Sequence, residues 1–163
     1  MEAKQPPHKG LTMSDFWYPH VTVATIVEKE NLFLLVEEEI DGARVYNQPA
    51  GHLEKEESLI DAAVRETLEE TGWQVAIESV CGFYLYTSSK NQTTYLRCCF
   101  IAQPLKDTGA TLDDGIIAAR WMSYQQVLKK GAALRSSMVI QCMDDYLSGQ
   151  QFPLNSIHHS PKA

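Results

Sequence analysis

Alternating apolar and polar residues predict extended structure along the first third of the chain. From His20 to Val27 β-branched residues recur at every second position, and Leu32 to Val36 is a second apolar run. The four-residue polar link between these runs indicates an antiparallel hairpin. Residues 44–48 form a further extended piece, which Pro49 ends. The pattern therefore predicts three extended segments before the first helix.

At residue 58 the spacing of apolar residues changes from the period of a strand to that of a helix, which predicts a helix over residues 58–71. Ser58 and Asp61 fit a capping box at its start, and Gly72 supplies a termination signal at its end. One apolar face of this helix is expected to pack on the sheet. Its residues are Ile60, Val64, Thr67 and Leu68.

The second half of the chain alternates between strand and helix patterns. Strands are predicted at 75–86, 94–102 and 116–122, an acidic loop at 106–115, and helices at 123–130 and 136–147. This order predicts an α/β protein of the α/β/α sandwich type, with a mixed sheet covered on both faces. One domain is expected over residues 16–154, between a flexible N-terminus at 1–15 and a flexible C-terminal tail at 155–163.

The charge balance argues against one broad class of partner. With 14 Lys and Arg against 21 Asp and Glu the net charge is −7, and acids concentrate between residues 51 and 73. A nucleic-acid surface would need a basic face instead. Four cysteines without a C-x-x-C pair predict reduced thiols and a cytoplasmic location. No apolar run reaches the ~18 residues that a membrane span needs.

Three glutamates on the predicted helix form a candidate cation site. Glu66, Glu69 and Glu70 stand at i, i+3 and i+4, which places their carboxylates on one side of the helix. Such a face can be an ordinary solvated surface of the helix. Like charges at this spacing also repel each other and destabilise the helix. A hard divalent cation with oxygen ligands, Mg²⁺ or Mn²⁺, would relieve that repulsion. Arg65 precedes the cluster and can orient its carboxylates by bidentate pairing.

The residues around this cluster complete a longer pattern. It consists of Gly51, Glu57, Arg65, Glu66, Glu69, Glu70, Gly72 and the bulky apolar Trp73, all in one register. The pattern resembles the box of the Nudix hydrolases. The order of predicted elements is also similar to the Nudix fold across roughly Tyr18 to Tyr146. One departure is Ala50, where many family members carry a second glycine.

The resemblance implies a magnesium-dependent hydrolase of phosphoanhydride bonds. The residues that it assigns to the metal are Gly51, Glu66, Glu69 and Glu70. It also implies that Glu57 pairs with Arg65 or positions the attacking water. Patches at 19–24, 47–54 and 134–136 resemble bacterial phosphatases of the family. That likeness implies action on nucleoside tri- and diphosphates, thiamine pyrophosphate and its hydroxymethylpyrimidine precursor.

The general base is left open by the same resemblance. It is either a box glutamate, here Glu69 or Glu70, or an acid from a later loop. Asp113 and Asp114 lie in the predicted acidic loop, and Asp114 is taken as its catalytic candidate. Both aspartates are alternatively ordinary turn residues.

Phosphate groups also need cations or donors from the protein. Arg97 lies in an apolar strand, where it either faces the substrate or makes a structural ion pair. Arg44 and Arg135 are further candidates of the same kind. His20 opens the first strand, as a substrate ligand or as a satisfied structural histidine. The aromatic residues that could stack on a base, or simply belong to the core, are Trp17, Tyr46, Tyr84 and Tyr86.

Other functions stay open at the level of sequence. They are a nucleotide-sanitising hydrolase, an RNA 5′-end pyrophosphohydrolase and a nucleotide-binding Nudix module without catalysis. Hydrolysis of an RNA 5′ end would need a basic groove, which this sequence lacks. A binding module without catalysis would be expected to have lost residues of the Nudix box, and here they are all present. A calcium-binding EF-hand would need a loop of alternating acids. The expected partners are small-molecule phosphoanhydrides, bound by a monomer or homodimer without nucleic acid or membrane.

Overall fold

The computed structural model describes residues 17–160. Its strands are β1 (His20–Lys29), β2 (Leu32–Ile40), β3 (Ala43–Asn47), β4 (Ala50–His52), β5 (Trp73–Thr87), β6 (Thr94–Asp107) and β7 (Ile116–Met122). Its helices are α1 (Leu59–Thr71), α2 (Tyr124–Leu128) and α3 (Met138–Leu147), with 3₁₀ turns at Gly131–Ala133 and Leu154–Ser156. The predicted flexible N-terminus, residues 1–15, lies outside the described residues.

The sheet consists of two groups of strands that meet at the first hairpin. Its seven strands include the path β3-β2-β1-β6-β5, with β4 paired to β1 and β7 to β2. β1 and β6 are parallel and the other pairs are antiparallel, so the sheet is mixed as predicted. β1 and β2 pair next to their turn, Glu28 with Phe33 and Lys29 with Leu32.

Helices α1 and α3 cover opposite faces of the strands around β1 and β6. Val23 and Cys98 pack in a cluster with residues of α1. Ala24 and Cys99, the next residues along the same strands, pack instead with residues of α3. Successive strand residues point to opposite faces, and we name these the α1 face and the α3 face. The predicted α/β/α sandwich is therefore confirmed.

The buried side of α1 is made of small residues. They are Ala62, Ala63, Thr67 and Thr71, whereas Ile60, Val64 and Leu68 are half-buried. The predicted packing face is confirmed at Ile60, Val64 and Thr67, and Ala62 and Ala63 extend it with short side chains that bring the helix close to the sheet. The Thr25 and Thr67 hydroxyl oxygens lie 2.8 Å apart at this contact. Thr67 also donates to the carbonyl of Ala63 at 2.7 Å.

Both ends of α1 lie where the sequence predicted them. Ser58 is the N-cap, and Gly72 is a left-handed C-cap with φ 74°. The capping contact differs from a reciprocal box. The Ser58 hydroxyl accepts from the Asp61 N–H at 3.0 Å and donates to the Asp61 carboxylate at 2.6 Å. These caps fix the register of the acidic residues between them.

Several other boundaries differ from the sequence predictions, and β4 is a fourth strand before α1 where three were predicted. β6 continues to Asp107 because it keeps pairing with β5, which shortens the predicted loop. α3 begins at Met138 rather than at residue 136. Leu154 and Ile157 pack against the cluster on the α1 face, at the start of the tail predicted for 155–163. The domain limits themselves stay a prediction.

The cysteines agree with a reduced state. All four are buried free thiols. Burial raises the pKa of Cys98 to about 12, which keeps this thiol protonated. Within residues 17–160, no helix has the length and apolar character needed to cross a membrane.

The threonine contact predicts an asymmetric loss of stability. Thr67 donates its only hydroxyl hydrogen to Ala63, so Thr25 must be the donor to Thr67. Thr67→Val therefore leaves the buried Thr25 hydroxyl without an acceptor, and the free energy of unfolding should fall by about 1–3 kcal/mol. Thr25→Val leaves Thr67 bonded and should cost less. Urea denaturation measures both, and an equal or larger loss in Thr25→Val would contradict these donor roles.

Candidate active site

Gly51 brings β4 against the carboxylate of Glu66. β4 pairs with β1 through Gly51 and Val23, which turns residue 51 toward the α1 face. A Cβ atom at this position would lie 2.0–2.2 Å from the carboxylate atoms of Glu66. The backbone of Gly51 is not left-handed. Glycine is therefore required here by space and not by conformation.

The guanidinium of Arg65 organises the carboxylates around this contact. Its Nε and Nη2 donate to the two oxygens of Glu57 at 2.8 and 2.9 Å. Its Nη1 donates to both Glu66 and Glu69, at 2.8 and 2.9 Å. Nη2 also donates to the backbone carbonyl of His52 at 3.2 Å. The hydrogen bond from Arg65 lowers the pKa of Glu57, and Glu57 in turn raises the pKa of Arg65.

Glu70 turns toward β4 and has a raised pKa. One of its oxygens accepts from the Ala50 N–H at 2.8 Å. Burial raises the pKa of Glu70 to about 8, although the hydrogen bond from Ala50 lowers it. The negative charges of Glu66, Glu38 and Asp113 also raise this pKa. Burial also raises the pKa of Glu66. Negative charge at this point therefore exceeds the positive charge that the nearby side chains supply.

Glu38, which sequence analysis missed, adds a carboxylate from the second group of strands. It lies on β2 and contributes to the raised pKa of Glu70. Arg135 pairs with Glu38 at 3.3 Å, so this candidate cation lies at the edge of the cluster. Arg44 instead pairs with the buried Glu37 at 3.0 Å. That partner favours a structural role for Arg44, and substrate binding by either arginine stays a prediction.

The loop before β7 is hydrogen-bonded to the end of α1. The N–H of Asp113 donates to the carbonyl of Glu69 at 3.0 Å. Further back, the N–H and hydroxyl of Thr108 donate to the carbonyl of Gly72 at 2.9 and 2.7 Å. Asp113 is thus the loop acid whose charge acts on the helix carboxylates, which favours it over the predicted Asp114.

The chemistry of these side chains fits a hard divalent cation. Among residues 17–160, no group of three or more His, Cys, Asp or Glu side chains already stands in the arrangement of a metal site. Arg65 draws together two of the predicted ligands, and Ala50 binds Glu70. The donors are all oxygens, which suits Mg²⁺ or Mn²⁺. A cation would offset the burial of Glu70 and the neighbouring negative charges, which together raise its pKa.

Arg97 is buried among neutral partners. It is 5% exposed, and its Nη1 and Nη2 donate to Gln48 at 3.1 Å and Asn47 at 3.4 Å. Its Nε is buried with no hydrogen-bond partner in the described part of the chain. The structural ion pair considered for Arg97 is therefore not found among the described residues. Arg97 faces α3, because it stands two residues from Cys99 on β6.

His20 lies in an exposed contact between three rings. Its Nδ1 is 3.4 Å from Nε2 of His52, and its ring centroid is 5.6 Å from that of Tyr95. Burial lowers the pKa of His52, and the charge of His20 acts in the same direction. His52 directly follows Gly51. The structure therefore brings His20 next to the active-site strand without placing it on the carboxylates.

The aromatic candidates have different surroundings. Tyr46 donates to Glu37 at 3.1 Å and Tyr84 donates to Asp145 at 2.9 Å, so both have structural partners. Trp17 is exposed at the start of the described chain. Stacking on substrate stays a prediction for each of them.

Comparisons with known proteins agree with this geometry. The NUDIX domain model matches residues 18–142. This chain belongs to the Nudix family. Phosphatase NudJ from Escherichia coli (strain K12) and from Shigella boydii serotype 4 (strain Sb227) is 40% identical over 141 residues, which cover 85% of this chain and 90% of NudJ. A NUDIX hydrolase structure from Nitrosomonas europaea is 43% identical with a TM-score of 0.85, covering 88% of this chain and 98% of that one.

Family membership fixes the general activity of this Nudix protein. It is a hydrolase that acts on phosphoanhydride bonds, and its family generally uses divalent metal ions. The Nudix resemblance, the fold class and the enzyme class predicted from the sequence are therefore confirmed. The roles of individual residues in the box stay predictions.

Gly51→Ala tests the close approach of β4 to α1. The added methyl group must displace the Glu66 carboxylate, and a displacement of about 1 Å can lower a rate by about 10²-fold. We expect kcat/KM for a nucleoside diphosphate with Mg²⁺ to fall by about that factor, with an unchanged circular dichroism spectrum. Ala50→Gly is the matched change at the neighbouring residue and should keep most activity. A wild-type rate in Gly51→Ala would show that the contact is irrelevant to catalysis.

Proposed function

We propose that this Nudix hydrolase is a phosphatase for small organic diphosphates and triphosphates, with Mg²⁺ or Mn²⁺ as cofactor. Its proposed substrates are nucleoside tri- and diphosphates, thiamine pyrophosphate and the hydroxymethylpyrimidine precursor of thiamine. The carboxylate cluster around Gly51, with its surplus of negative charge, carries the proposal. The 40% identity to Phosphatase NudJ supports release of orthophosphate.

The proposed ligands of the cation come from α1 and from the strand β4 beside it. They are Glu66, Glu69, Glu70 and the carbonyl of Gly51. A bound divalent cation would supply charge neutralisation to phosphate oxygens and lower the pKa of a water molecule. Arg65 holds two of the carboxylates in place, so they need little reorganisation during the reaction.

The proton of the attacking water needs an acceptor near the phosphate. Glu69 is 40% exposed along its side chain, and its Oε2 is bonded to Arg65. It is therefore both accessible and oriented, which suits a general base. Glu57 would act indirectly, since its contact is with Arg65 through both carboxylate oxygens.

The charges near the cluster favour recognition of a terminal phosphate. Arg65 is occupied by acids, and Arg135 lies at the edge in its pair with Glu38. A long polyphosphate would find few further cations to hold it in one register. A pyrophosphohydrolase, the main rival, would instead bind the inner phosphates.

The free, buried thiols support the proposed cytoplasmic location.

Charge removal at the metal ligands tests the assignment of the cluster. Glu69→Gln and Glu70→Gln should each lower kcat at saturating Mg²⁺ by at least ~10²-fold, the scale of one strong transition-state contact. Circular dichroism should show an intact fold. Glu78→Gln, a change at an exposed glutamate on β5, serves as the matched control and should leave kcat unchanged. Near-wild-type turnover in both cluster variants would refute the assignment.

The order of products tests where the bond breaks. A nucleoside triphosphate should give the diphosphate and then the monophosphate, with one orthophosphate released at each step. Anion-exchange analysis of a partial digest should show the diphosphate as an intermediate, and thiamine pyrophosphate should give thiamine monophosphate. Pyrophosphate as the first product, with diphosphates inert, would replace the phosphatase with a pyrophosphohydrolase and leave the Nudix assignment standing.

A further inference from the structure

Three of the four cysteines meet in the layer between the sheet and α3. Cys81 on β5, Cys99 on β6 and Cys142 on α3 are fully buried and belong to the same core cluster. The side chain of Cys99 is hydrogen-bonded to those of Cys81 and Cys142. The Cys81 thiol donates to the carbonyl of Cys142 at 3.6 Å. We name these three residues the thiol cluster, and the proposed hydrolysis uses none of them.

A buried cation with neutral partners lies beside the thiol cluster. Arg97 stands two residues from Cys99 on the same face of β6, and it donates to the amide oxygens of Asn47 and Gln48. Its buried Nε has no hydrogen-bond partner among residues 17–160. A buried guanidinium favours an anion close to it, and a cysteine can supply one as a thiolate. The thiol cluster therefore lies where one of its members can ionise.

The members of the thiol cluster differ in acidity. The hydrogen bond with Cys99 lowers the pKa of Cys142, and the charge of Arg97 lowers it as well, although burial raises it. Hydrogen bonds with Cys142 and Cys81, together with burial, hold the pKa of Cys99 well above its ordinary value. Cys99 also lowers the pKa of Cys81, but the Cys81 hydrogen is already donated to the Cys142 carbonyl. Cys142 is therefore the nucleophilic thiol, and Cys99 is a protonated thiol beside it.

A cavity between β5 and α3 gives a small oxidant a route toward the thiol cluster. Its volume is about 330 Å³, and Tyr84 and Met138 belong to its lining. The hydroxyl of Tyr84 lies 3.6 Å from the Cys81 sulfur and donates to Asp145 on α3 at 2.9 Å. Liquid water occupies about 30 Å³ per molecule, so the cavity has room for molecules the size of water or hydrogen peroxide. Tyr84 thus connects the cavity to the thiol cluster.

We propose that the thiol cluster is an oxidation site, at which hydrogen peroxide joins Cys142 to Cys99 in a reversible disulfide. The Cys142 thiolate attacks one oxygen of the peroxide, the O–O bond breaks, and a sulfenic acid and hydroxide are formed. Cys99 then gives its proton to the hydroxide, and its sulfur displaces the hydroxyl group from Cys142 to form the S–S bond. Over both steps the two thiols lose two electrons and two protons, and the peroxide is reduced to two water molecules.

The disulfide links α3 to β6 and affects the active-site strand. A covalent S–S bond holds two sulfurs closer than a hydrogen bond does, so α3 and the sheet must shift toward each other. The amide of Gln48 donates to the carbonyl of Val139 on α3 at 2.8 Å, and β4 begins two residues after Gln48. A shift of about 1 Å can lower a rate by about 10²-fold. We expect the oxidised protein to be at least ~10-fold slower, an expectation that rests on the proposed function.

Mapping of the thiols tests the oxidation site without an enzyme assay. Folded protein is treated with hydrogen peroxide, unfolded and alkylated with iodoacetamide, and its peptides are sequenced by mass spectrometry. We expect a Cys99–Cys142 disulfide that dithiothreitol removes, and an alkylated Cys98. Cys98 is the internal control, because it is also buried but packs on the α1 face, where burial raises its pKa to about 12. Absence of the Cys99–Cys142 disulfide, or equally fast oxidation of Cys98, would overturn the proposal.

Three variants test the roles within the thiol cluster. Cys142→Ala should form no disulfide and keep its hydrolysis of a nucleoside diphosphate after peroxide, whereas Cys98→Ala should lose activity as wild type does. Arg97→Met should slow disulfide formation about 10-fold, the change in thiolate population that one pKa unit produces. Circular dichroism checks each fold, and the wild-type mapping is decisive if a variant unfolds. Failure of untreated wild-type protein to hydrolyse any diphosphate would refute the proposed function and leave the disulfide standing.

Discussion

The shared guanidinium of Arg65 is the interaction on which the active site depends. It binds Glu57 from the preceding loop, Glu66 and Glu69 from its own helix, and the His52 carbonyl of β4. Three separate segments are thereby held around one planar cation. A lysine could not do this, because its ammonium lacks the fixed fork of donors that contacts several acceptors in a plane. Glu70 lies outside this arrangement, and burial raises its pKa to about 8.

Close packing of α1 makes this arrangement possible. Alanines and threonines on the buried side let the helix approach the sheet, and the missing side chain at Gly51 lets β4 approach the helix. The carboxylate of Glu66 occupies the space that a Cβ of residue 51 would fill. Stability and chemistry therefore depend on the same short distances. A larger residue at either surface would move the carboxylates as well as loosen the core.

Local signals in the sequence predicted the parts of the fold that local forces determine. The caps Ser58 and Gly72 lie where predicted, because each acts on the backbone next to it. The box glutamates could also be predicted, since one helix carries them all. The buried face of α1 was predicted only in part, because it depends on how closely the helix approaches the sheet. Ile60, Val64 and Thr67 pack as predicted, whereas the buried Ala62 and Ala63 were missed because their side chains are small.

Residues that join the site through tertiary contacts escaped sequence analysis. Glu38 reaches the cluster through the pairing of strands, and its one local signal is an acidic run that interrupts an apolar strand. Tyr95 and His52 meet His20 because β1 pairs with both β6 and β4. Asp113 and Asp114 are indistinguishable in the sequence. A backbone hydrogen bond to Glu69 and the effect of its charge on Glu70 favour Asp113, and the choice stays a prediction.

The two attachments of the loop before β7 have a mechanical consequence. Thr108 and Asp113 donate hydrogen bonds to the carbonyls of Gly72 and Glu69, and only a short stretch of chain separates these two attachments. A swinging lid needs a longer span between its hinges and few bonds to the body it covers. Its bonds to the helix favour movement of this loop together with α1. Substrate and product then exchange on the side of the sheet where β1 and β6 begin and β4 ends.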